Sequence, residues 1–252
     1  MIQIRDLQKK FDDKIVLRGV DLDIYDGEKL VIIGRSGCGK SVLLKHIINL
    51  MQPDKGYILV DDIAIRKVSQ KDLFFLRKQF GFLFQGAALF DSMTVAENIA
   101  LPLLEHTKMT PNERAVKVAE KLELVGLPGI EHLKPAELSG GMKKRIGLAR
   151  AIVMDPKYIL YDEPTTGLDP IMAANIDKLI IELSEKLKVT SIVVTHDMQS
   201  VAKVADRVVM LHLGRIIFSG TVSELYNTDN EVVSQFVHAQ AEGPIQPKPE
   251  LY

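Results

Sequence analysis

The chain has 252 residues, enough for one large domain or two small ones, and its 46% hydrophobic and 26% charged residues are ordinary for a globular protein. A net charge of −1 argues against a dedicated nucleic-acid binder, because such proteins carry a strong basic excess. No apolar run approaches the ~18 residues needed to cross a bilayer, and the early charges of MIQIRDLQKKF predict no signal peptide. The single cysteine, Cys38, excludes a disulfide within the chain and fits a reducing compartment.

Two kinds of strand are predicted along the chain. IQIRDL, GVDLDI and YILVDD partly alternate and are separated by short polar turns, as in antiparallel strands. Four apolar runs without strict alternation are typical of a parallel sheet that is covered on both faces. These runs span residues 29–34, 158–164, 191–197 and 207–214.

Helical patterns fill most of the remaining chain. SVLLKHIINL follows the first buried strand, residues 112–127 are amphipathic at a helical period, and Pro170 stands in the first turn of another helix. Residues 86–153 are mainly helical and predict an inserted helical subdomain. We therefore expect an α/β domain over residues 1–236, followed by a proline-rich tail over 237–252 that has too little apolar content to fold alone.

The segment GRSGCGKS, residues 34–41, matches the P-loop pattern between a strand and a helix. Its glycines would let backbone N–H groups surround phosphate oxygens, and the following helix adds its positive end. Lys40 is expected to reach the β- and γ-phosphates and Ser41 to bind Mg²⁺. The alternative is a glycine-rich turn that matches by chance. The predicted ATP-binding residues of this segment are Gly34, Arg35, Ser36, Gly37, Cys38, Gly39, Lys40, Ser41 and Val42, with Cys38 as a small filler of the loop.

A second motif, YILYDE, places two acids at the carboxyl end of a buried strand, where α/β sheets bind their ligands. Asp162 is the expected partner of Mg²⁺. Glu163 is then free to act as the general base on the attacking water. The alternative is an acidic pair at the surface.

The segment VVTHD ends another strand with His196. A neutral imidazole at this position could hydrogen-bond the γ-phosphate. A lone histidine is more often a structural residue, so the functional interpretation depends on the other motifs. The other five histidines are interpreted as structural.

The segment ELSGGMKKR raises a question of charge. If a helix starts at Gly140 or Gly141, then Lys143, Lys144 and Arg145 lie at its positive end, which is unfavourable unless an anion faces the helix. We expect some of these cations to lie on a solvated face and at most one to approach a phosphate.

These motifs together resemble those of ABC ATPases. LSGGM at 138–142 is similar to the family's LSGGQ signature, and the order P-loop, FQG, signature, YILYDEP, TGLDP and VVTHD fits the family over nearly the whole chain to about residue 236. The resemblance implies a P-loop fold with a RecA-like core. It also implies that Gln85 of FQG is a catalytic residue and Mg²⁺ ligand and that Asp169 forms the D-loop.

The resemblance indicates which anion faces this helix. In this family the signature faces the γ-phosphate of an ATP that another subunit's P-loop holds. One P-loop and one signature per chain thus imply a head-to-tail homodimer with two ATPs. Ser139, Gly140 and Gly141 would make the trans contacts.

Two departures from the family pattern matter. Met142 replaces the usual Gln of the signature, so any contact specific to Gln is lost. Phe11 replaces the tyrosine that usually stacks on adenine, with Val16 packing nearby; the alternative for Phe11 is core packing.

Length narrows the class of ABC protein. Gly34 and Ser139 lie 105 positions apart without sustained heptads, which argues against chromosome-maintenance ATPases, and one ATPase domain argues against translation-associated relatives. A transport ATPase that acts on a separate permease is favoured. A regulatory protein that uses ATP only as a switch stays open, although Glu163 argues against it.

GAALFDSMTV, NIALPL and SGGM resemble the ATPase of Mla-type phospholipid transporters, which work with MCE proteins. The resemblance implies a peripheral protein on the cytoplasmic face of the inner membrane, an MCE-type partner and possible binding of a small cytoplasmic regulator. An ATPase for amino-acid import or lipoprotein release is the alternative. Candidate permease-docking residues are Leu89, Phe90 and Met93, whose alternative role is core packing.

Overall fold

The computed structural model describes residues 1–246, and its six-stranded sheet forms the centre of the molecule. The strand order is β10-β9-β3-β8-β7-β6, with parallel pairing except for β10, which runs antiparallel to β9. The strands are β3 (Lys29–Ile33), β6 (Phe80–Leu83), β7 (Tyr158–Asp162), β8 (Thr190–Val194), β9 (Arg207–His212) and β10 (Arg215–Gly220). The predicted parallel core is confirmed.

A four-stranded antiparallel sheet of order β2-β1-β4-β5 covers one face of this core. Its strands are β1 (Ile2–Phe11), β2 (Lys14–Ile24), β4 (Lys55–Val60) and β5 (Ile63–Ala64). The three predicted antiparallel segments lie in β1, β2 and β4.

The central strands are apolar throughout because alternate residues pack into different clusters. In β3, Leu30 and Ile32 face the antiparallel sheet, whereas Val31 and Ile33 face the helices. All four side chains are fully buried, and each contributes roughly 1.5–3 kcal/mol relative to an exposed position. This double burial explains why the strand sequences lack a period of two.

Nine α-helices occur in residues 1–246. Three of them, α3, α4 and α5, lie between β6 and β7 within the range predicted for the helical subdomain. Capping boxes at Thr94 and Thr110 start α3 and α4. The helices are α1 (Lys40–Ile47), α2 (Gln70–Arg77), α3 (Val95–His106), α4 (Pro111–Leu124), α5 (Gly140–Ile152), α6 (Pro170–Leu187), α7 (Met198–Val204), α8 (Val222–Tyr226) and α9 (Glu231–Val237).

The helix α9 ends where the predicted tail begins. Gln235 on this helix is buried, and its Oε1 accepts a hydrogen bond of 2.6 Å from the backbone N–H of Ile245. The sequence also offers Ile245, Leu251 and Tyr252 as anchors of an extended tail on the partner subunit, with disorder of the tail as the alternative. Leu251 and Tyr252 lie outside the described residues.

None of the helices in residues 1–246 is both long and apolar enough to cross a membrane.

Candidate active site

The P-loop connects β3 to α1 through backbone conformations that require glycine at both of its ends. Gly34 has φ +149°, and a Cβ there would lie 2.2 Å from the carbonyl oxygen of Leu211. Gly39 has φ +111° and forms the N-cap of α1. The loop therefore delivers the N-terminus of α1, with its unpaired N–H groups, to the end of the parallel sheet, which is a natural anion site.

Lys40 lies inside this loop and is only 5% exposed. Its Nζ donates to the carbonyl oxygens of Gly34 at 2.8 Å and Arg35 at 3.2 Å. The same Nζ lies 3.5 Å from Oε1 of Glu163. A buried ammonium that rests on carbonyl oxygens and one carboxylate is well placed to bind a phosphate instead.

The hydroxyl of Ser41 donates to Oδ1 of Asp162 at 2.7 Å, joining the start of α1 to the end of β7. Hydroxyl and carboxylate oxygens are ligands that Mg²⁺ accepts, so this pair fits the predicted metal role. Residues 1–246 contain no group of three or more His, Cys, Asp or Glu side chains that could hold a metal ion.

Glu163 has φ +51°, a left-handed conformation that is uncommon for a residue other than glycine. Its backbone N–H donates to Val194 at 2.9 Å, which ties the turn after β7 to the end of β8. Its Oε2 lies 2.9 Å from Nδ1 of His196 and accepts from the hydroxyl of Thr166 at 3.2 Å. Backbone strain of this kind persists where the surroundings over-determine it, as they do at catalytic sites.

Gln85 follows β6, and one lysine connects its backbone to that of Glu163. Nζ of Lys144 donates to the backbone carbonyl of Gln85 and, at 3.2 Å, to that of Glu163. Burial lowers the pKa of Lys144, while the nearby charges of Asp162 and Glu163 oppose that shift.

The question raised by the three cations after the signature is thus partly answered within the chain. Lys144 is 5% exposed, so it is not one of the cations that lie on a solvated face. Arg145 donates to the carbonyl of Val125 at 3.1 Å and is turned towards the end of α4. Lys144 and Arg145 therefore bind backbone carbonyls.

These elements surround a cavity of about 430 Å³. Phe11 at its rim is 41% exposed, so its ring is available for stacking and the core alternative is wrong. The lining residues are Phe11, Lys14, Val16, Ser36, Gly37, Gly39, Lys40, Ser41, Val42, Gln85, Glu163 and His196.

Of the predicted P-loop residues, Gly34, Arg35 and Cys38 do not line this cavity. Arg35 and Cys38 line a neighbouring cavity of about 790 Å³, where Nη1 of Arg35 donates to the carbonyl of Gln246 at 2.9 Å. Cys38 packs against the core, and burial raises the pKa of its thiol. A protonated, packed thiol fits the predicted filler role.

The signature residues lie outside both cavities of their own chain. Ser139 caps α5, accepting from the N–H of Met142 at 3.3 Å, so the helix starts where the sequence predicts. Ser139 and Gly140 are exposed, whereas Gly141 lies against Met172. Asp169 caps α6 through hydrogen bonds of 3.0 Å to Ile171 and Met172 and also lies outside both cavities.

Sequence reasoning missed Lys14, Thr166 and the inward turn of Lys144. Lys14 pairs with Phe11 across the tight turn of β1 and β2, so its place beside the predicted stacking residue was a usable signal. No local pattern identifies Lys144, because its partner at Gln85 lies 59 residues away.

A P-loop at the carboxyl end of β3, with an acid pair at the carboxyl end of β7 two strands along the same sheet, defines the class of P-loop ATPases. The family described as ABC transporter matches residues 17–166. The chain belongs to this family and is an ATPase of the ABC type.

Two related proteins and one solved structure show the similarity. The chain is 40% identical over 246 residues to the intermembrane phospholipid transport system ATP-binding protein MlaF of Haemophilus influenzae, covering 98% of this chain and 93% of that protein. It is 44% identical over 244 residues to the probable ribonucleotide transport ATP-binding protein mkl of Mycobacterium leprae, covering 97% and 70%. The dimeric bacterial ABC transporter cassette MJ0796 superposes with a TM-score of 0.81 at 33% identity, over 88% and 99% of the two chains.

Proposed function

We propose that this chain powers phospholipid transport between membranes of the cell envelope by hydrolysing ATP for a separate permease. The observation that carries this proposal is the alignment with MlaF, which extends over almost the full length of both proteins. The relative mkl is named for a different cargo, but the chain spans only 70% of it. The segments GAALFDSMTV, NIALPL and SGGM add to the case for phospholipid.

In this proposal, two copies of the chain together form each complete ATPase site. Each cavity lacks Ser139, Gly140 and Gly141 of its own chain, and helix α5 presents Ser139 at the surface. The similarity to a cassette that dimerises supports a head-to-tail pair. The partner's signature and its Asp169 loop would then close each ATP site.

Within each site the roles follow from chemistry. Phe11 and Val16 hold the adenine, and the backbone of residues 34–39 together with Lys40 holds the phosphates. Glu163 takes the proton of the attacking water, while His196 donates to the γ-phosphate. Ser41, Gln85 and Asp162 would hold Mg²⁺, which neutralises charge on the β- and γ-phosphates when it is bound.

The permease is proposed to contact a groove of about 590 Å³ between the central sheet and α3. Phe90 lines this groove and is 50% exposed, which supports its predicted docking role. Leu89 instead packs against the core, and Met93 lines a separate cleft between α3 and α4. Phe90 is therefore the residue of the three on which docking is expected to depend most.

The remaining parts of the proposal concern the assembly. The chain sits peripherally on the cytoplasmic face of the inner membrane through its permease. An MCE-type lipid-binding protein completes the complex, and a small cytoplasmic regulator can join it. No nucleic acid takes part.

The test is a mild-detergent purification of the tagged chain from its native membranes, with proteins identified by mass spectrometry and lipids by extraction. A multi-spanning permease together with an MCE protein and phospholipid is expected. A permease that arrives with an amino-acid-binding protein, or without an MCE protein, would overturn the cargo and leave the ATPase intact. Phe90→Ala should lower permease recovery, and Val116→Ala, at an exposed apolar position on α4, is the matched control.

A further inference from the structure

A buried polar cluster lies behind the catalytic end of the sheet, between α6 and α7. Asp177 on α6 and Ser200 on α7 are each 2% exposed. The hydroxyl of Ser200 lies 3.1 Å from Oδ2 of Asp177. No motif discussed above contains either residue.

Ser200 stands at the meeting point of three segments. Its Oγ is also 3.2 Å from Oδ2 of Asp197, which caps α7, and 3.5 Å from Oγ1 of Thr165. Thr165 lies two residues after Glu163, and Asp197 directly follows His196. One hydroxyl therefore connects the turns that carry Glu163 and His196 to the helix that begins at the Asp169 loop.

The cluster is costly to bury and is not fully satisfied. Oδ1 of Asp177 is buried without a hydrogen-bond partner among residues 1–246. The nearest cation, Nζ of Lys203, is 3.9 Å from Oδ2 of Asp177, and its side chain is 46% exposed. A serine has one hydroxyl proton, so it can satisfy only one of the two carboxylates at a time. An apolar pair would pack these helices at less cost, which points to a role other than simple packing.

We propose that Asp177 and Ser200 are positioning residues, which hold the His196 turn and the Asp169 loop in register with Glu163. Hydrolysis then depends on their hydrogen bond, whereas binding of ATP to the P-loop does not. This inference rests on the proposed roles of Glu163 and His196.

The test compares Asp177→Ala, Ser200→Ala and their double variant in the full-length protein purified with its permease. We expect kcat to fall about tenfold in each single variant, because small displacements of catalytic groups are expensive. The dissociation constant for ATP, measured by fluorescent-nucleotide displacement, should change less than about twofold, a difference within ordinary coupling between independent sites. The double variant should be no slower than the slower single variant.

Ser184→Ala is the matched control. Ser184 lies on α6, the helix of Asp177, but far along it from the Asp169 loop. It is 5% exposed and donates to the carbonyl of Val189 at 3.2 Å. Ser184→Ala and Ser200→Ala should both lower the melting temperature, but only Ser200→Ala should lower kcat. Ser200→Thr keeps the hydroxyl and should restore most of the activity, which also covers the case in which Ser200→Ala folds poorly.

Unchanged kcat in Ser200→Ala, or an equal loss in Ser184→Ala, would overturn the positioning role. Glu163→Gln is assayed in parallel. If Glu163→Gln keeps its turnover, the assignment of the catalytic base fails instead. A slow Glu163→Gln beside a normal Asp177→Ala would reject the positioning role alone.

Discussion

Nδ1 of His196 lies 2.9 Å from Oε2 of Glu163, so the histidine binds the same carboxylate that we propose as the general base. A hydrogen bond between them requires a proton on Nδ1 if the carboxylate is ionised. A neutral imidazole then has no proton on Nε2, so His196 must turn away from Glu163 to donate to a phosphate. Because the His196 side chain is 58% exposed while that of Glu163 is 11% exposed, the imidazole is the partner with more room to turn towards the nucleotide.

Replacing Glu163 by Gln should preserve ATP binding and remove most hydrolysis. The amide keeps the shape of the side chain but cannot take a proton from water, a loss of about 10²–10⁴-fold in rate for a general base. The ATP-bound protein should accumulate as a dimer in size-exclusion chromatography with light scattering. Glu182→Gln, on the exposed side of α6, is the control; turnover of Glu163→Gln close to that of this control would reject Glu163 as the base.

Lys40→Ala should lose most of the affinity for nucleotide. Lys40 offers a buried ammonium to the phosphates, and one charge-assisted hydrogen bond is worth about 1.5–3 kcal/mol, or about 10- to 100-fold in affinity. Isothermal titration with ATP measures the effect. Lys45→Ala, in the last turn of the same helix, should bind normally; equal affinities in the two variants would contradict the phosphate cradle.

Ser139→Arg should block hydrolysis without preventing a monomer from binding ATP. Ser69→Arg is its matched control, because Ser69 is also an exposed serine that caps a helix, accepting from the N–H of Asp72 at 3.1 Å. Loss of hydrolysis in Ser69→Arg as well would mean that the effect comes from the lost cap or the added charge.

Mixing the inactive Ser139→Arg and Lys40→Ala proteins gives a sharper result. In a mixed head-to-tail dimer, one site combines an intact P-loop with an intact signature, and the other site contains both defects. Some ATPase activity should return on mixing. No recovery, with mixed dimers shown by cross-linking, would contradict sites shared between two chains.

The sequence predicts the fold well because its signals are local. The apolar runs of β3, β7, β8 and β9 and the cap at Ser139 are read within a few residues, and the structure places these elements accordingly. The P-loop is equally local, since the glycine positions dictate the backbone. The sequence does not decide between stacking and core packing for Phe11, because the partial alternation of β1 does not say whether the last residue of the strand is covered.

The parts that sequence could not predict depend on distant partners. The inward turn of Lys144 follows from carbonyl groups at Gln85 and Glu163. Asp177 and Ser200 lie on two helices that β8 separates in the sequence, and they meet only in the tertiary structure. Charged and hydroxyl side chains on a helix are usually solvated, so their pattern alone favours the surface. Burial of such groups is settled by tertiary packing.

Acid stability should depend on Asp61, which directly follows β4 and accepts a hydrogen bond from the hydroxyl of Tyr158 at the start of β7. Burial alone would raise its pKa, but hydrogen bonds from Lys157, the N-terminal amine and Tyr158 bring the pKa of Asp61 to about 2. Because the folded-state pKa lies below the ordinary value of 3.8, this stabilisation is complete above that value and is lost as the pH falls towards 2.

Lys157→Met removes the first of these hydrogen bonds and should move the pKa of Asp61 back towards its ordinary value. The variant should therefore unfold at a higher pH than the parent in an acid titration followed by circular dichroism. The control is Lys178→Met, since Lys178 is 74% exposed and forms only a surface pair with Glu182 at 3.5 Å. If both variants unfold at the same pH, the ion pairs of Asp61 do not set the acid limit, and protonation of other carboxylates does.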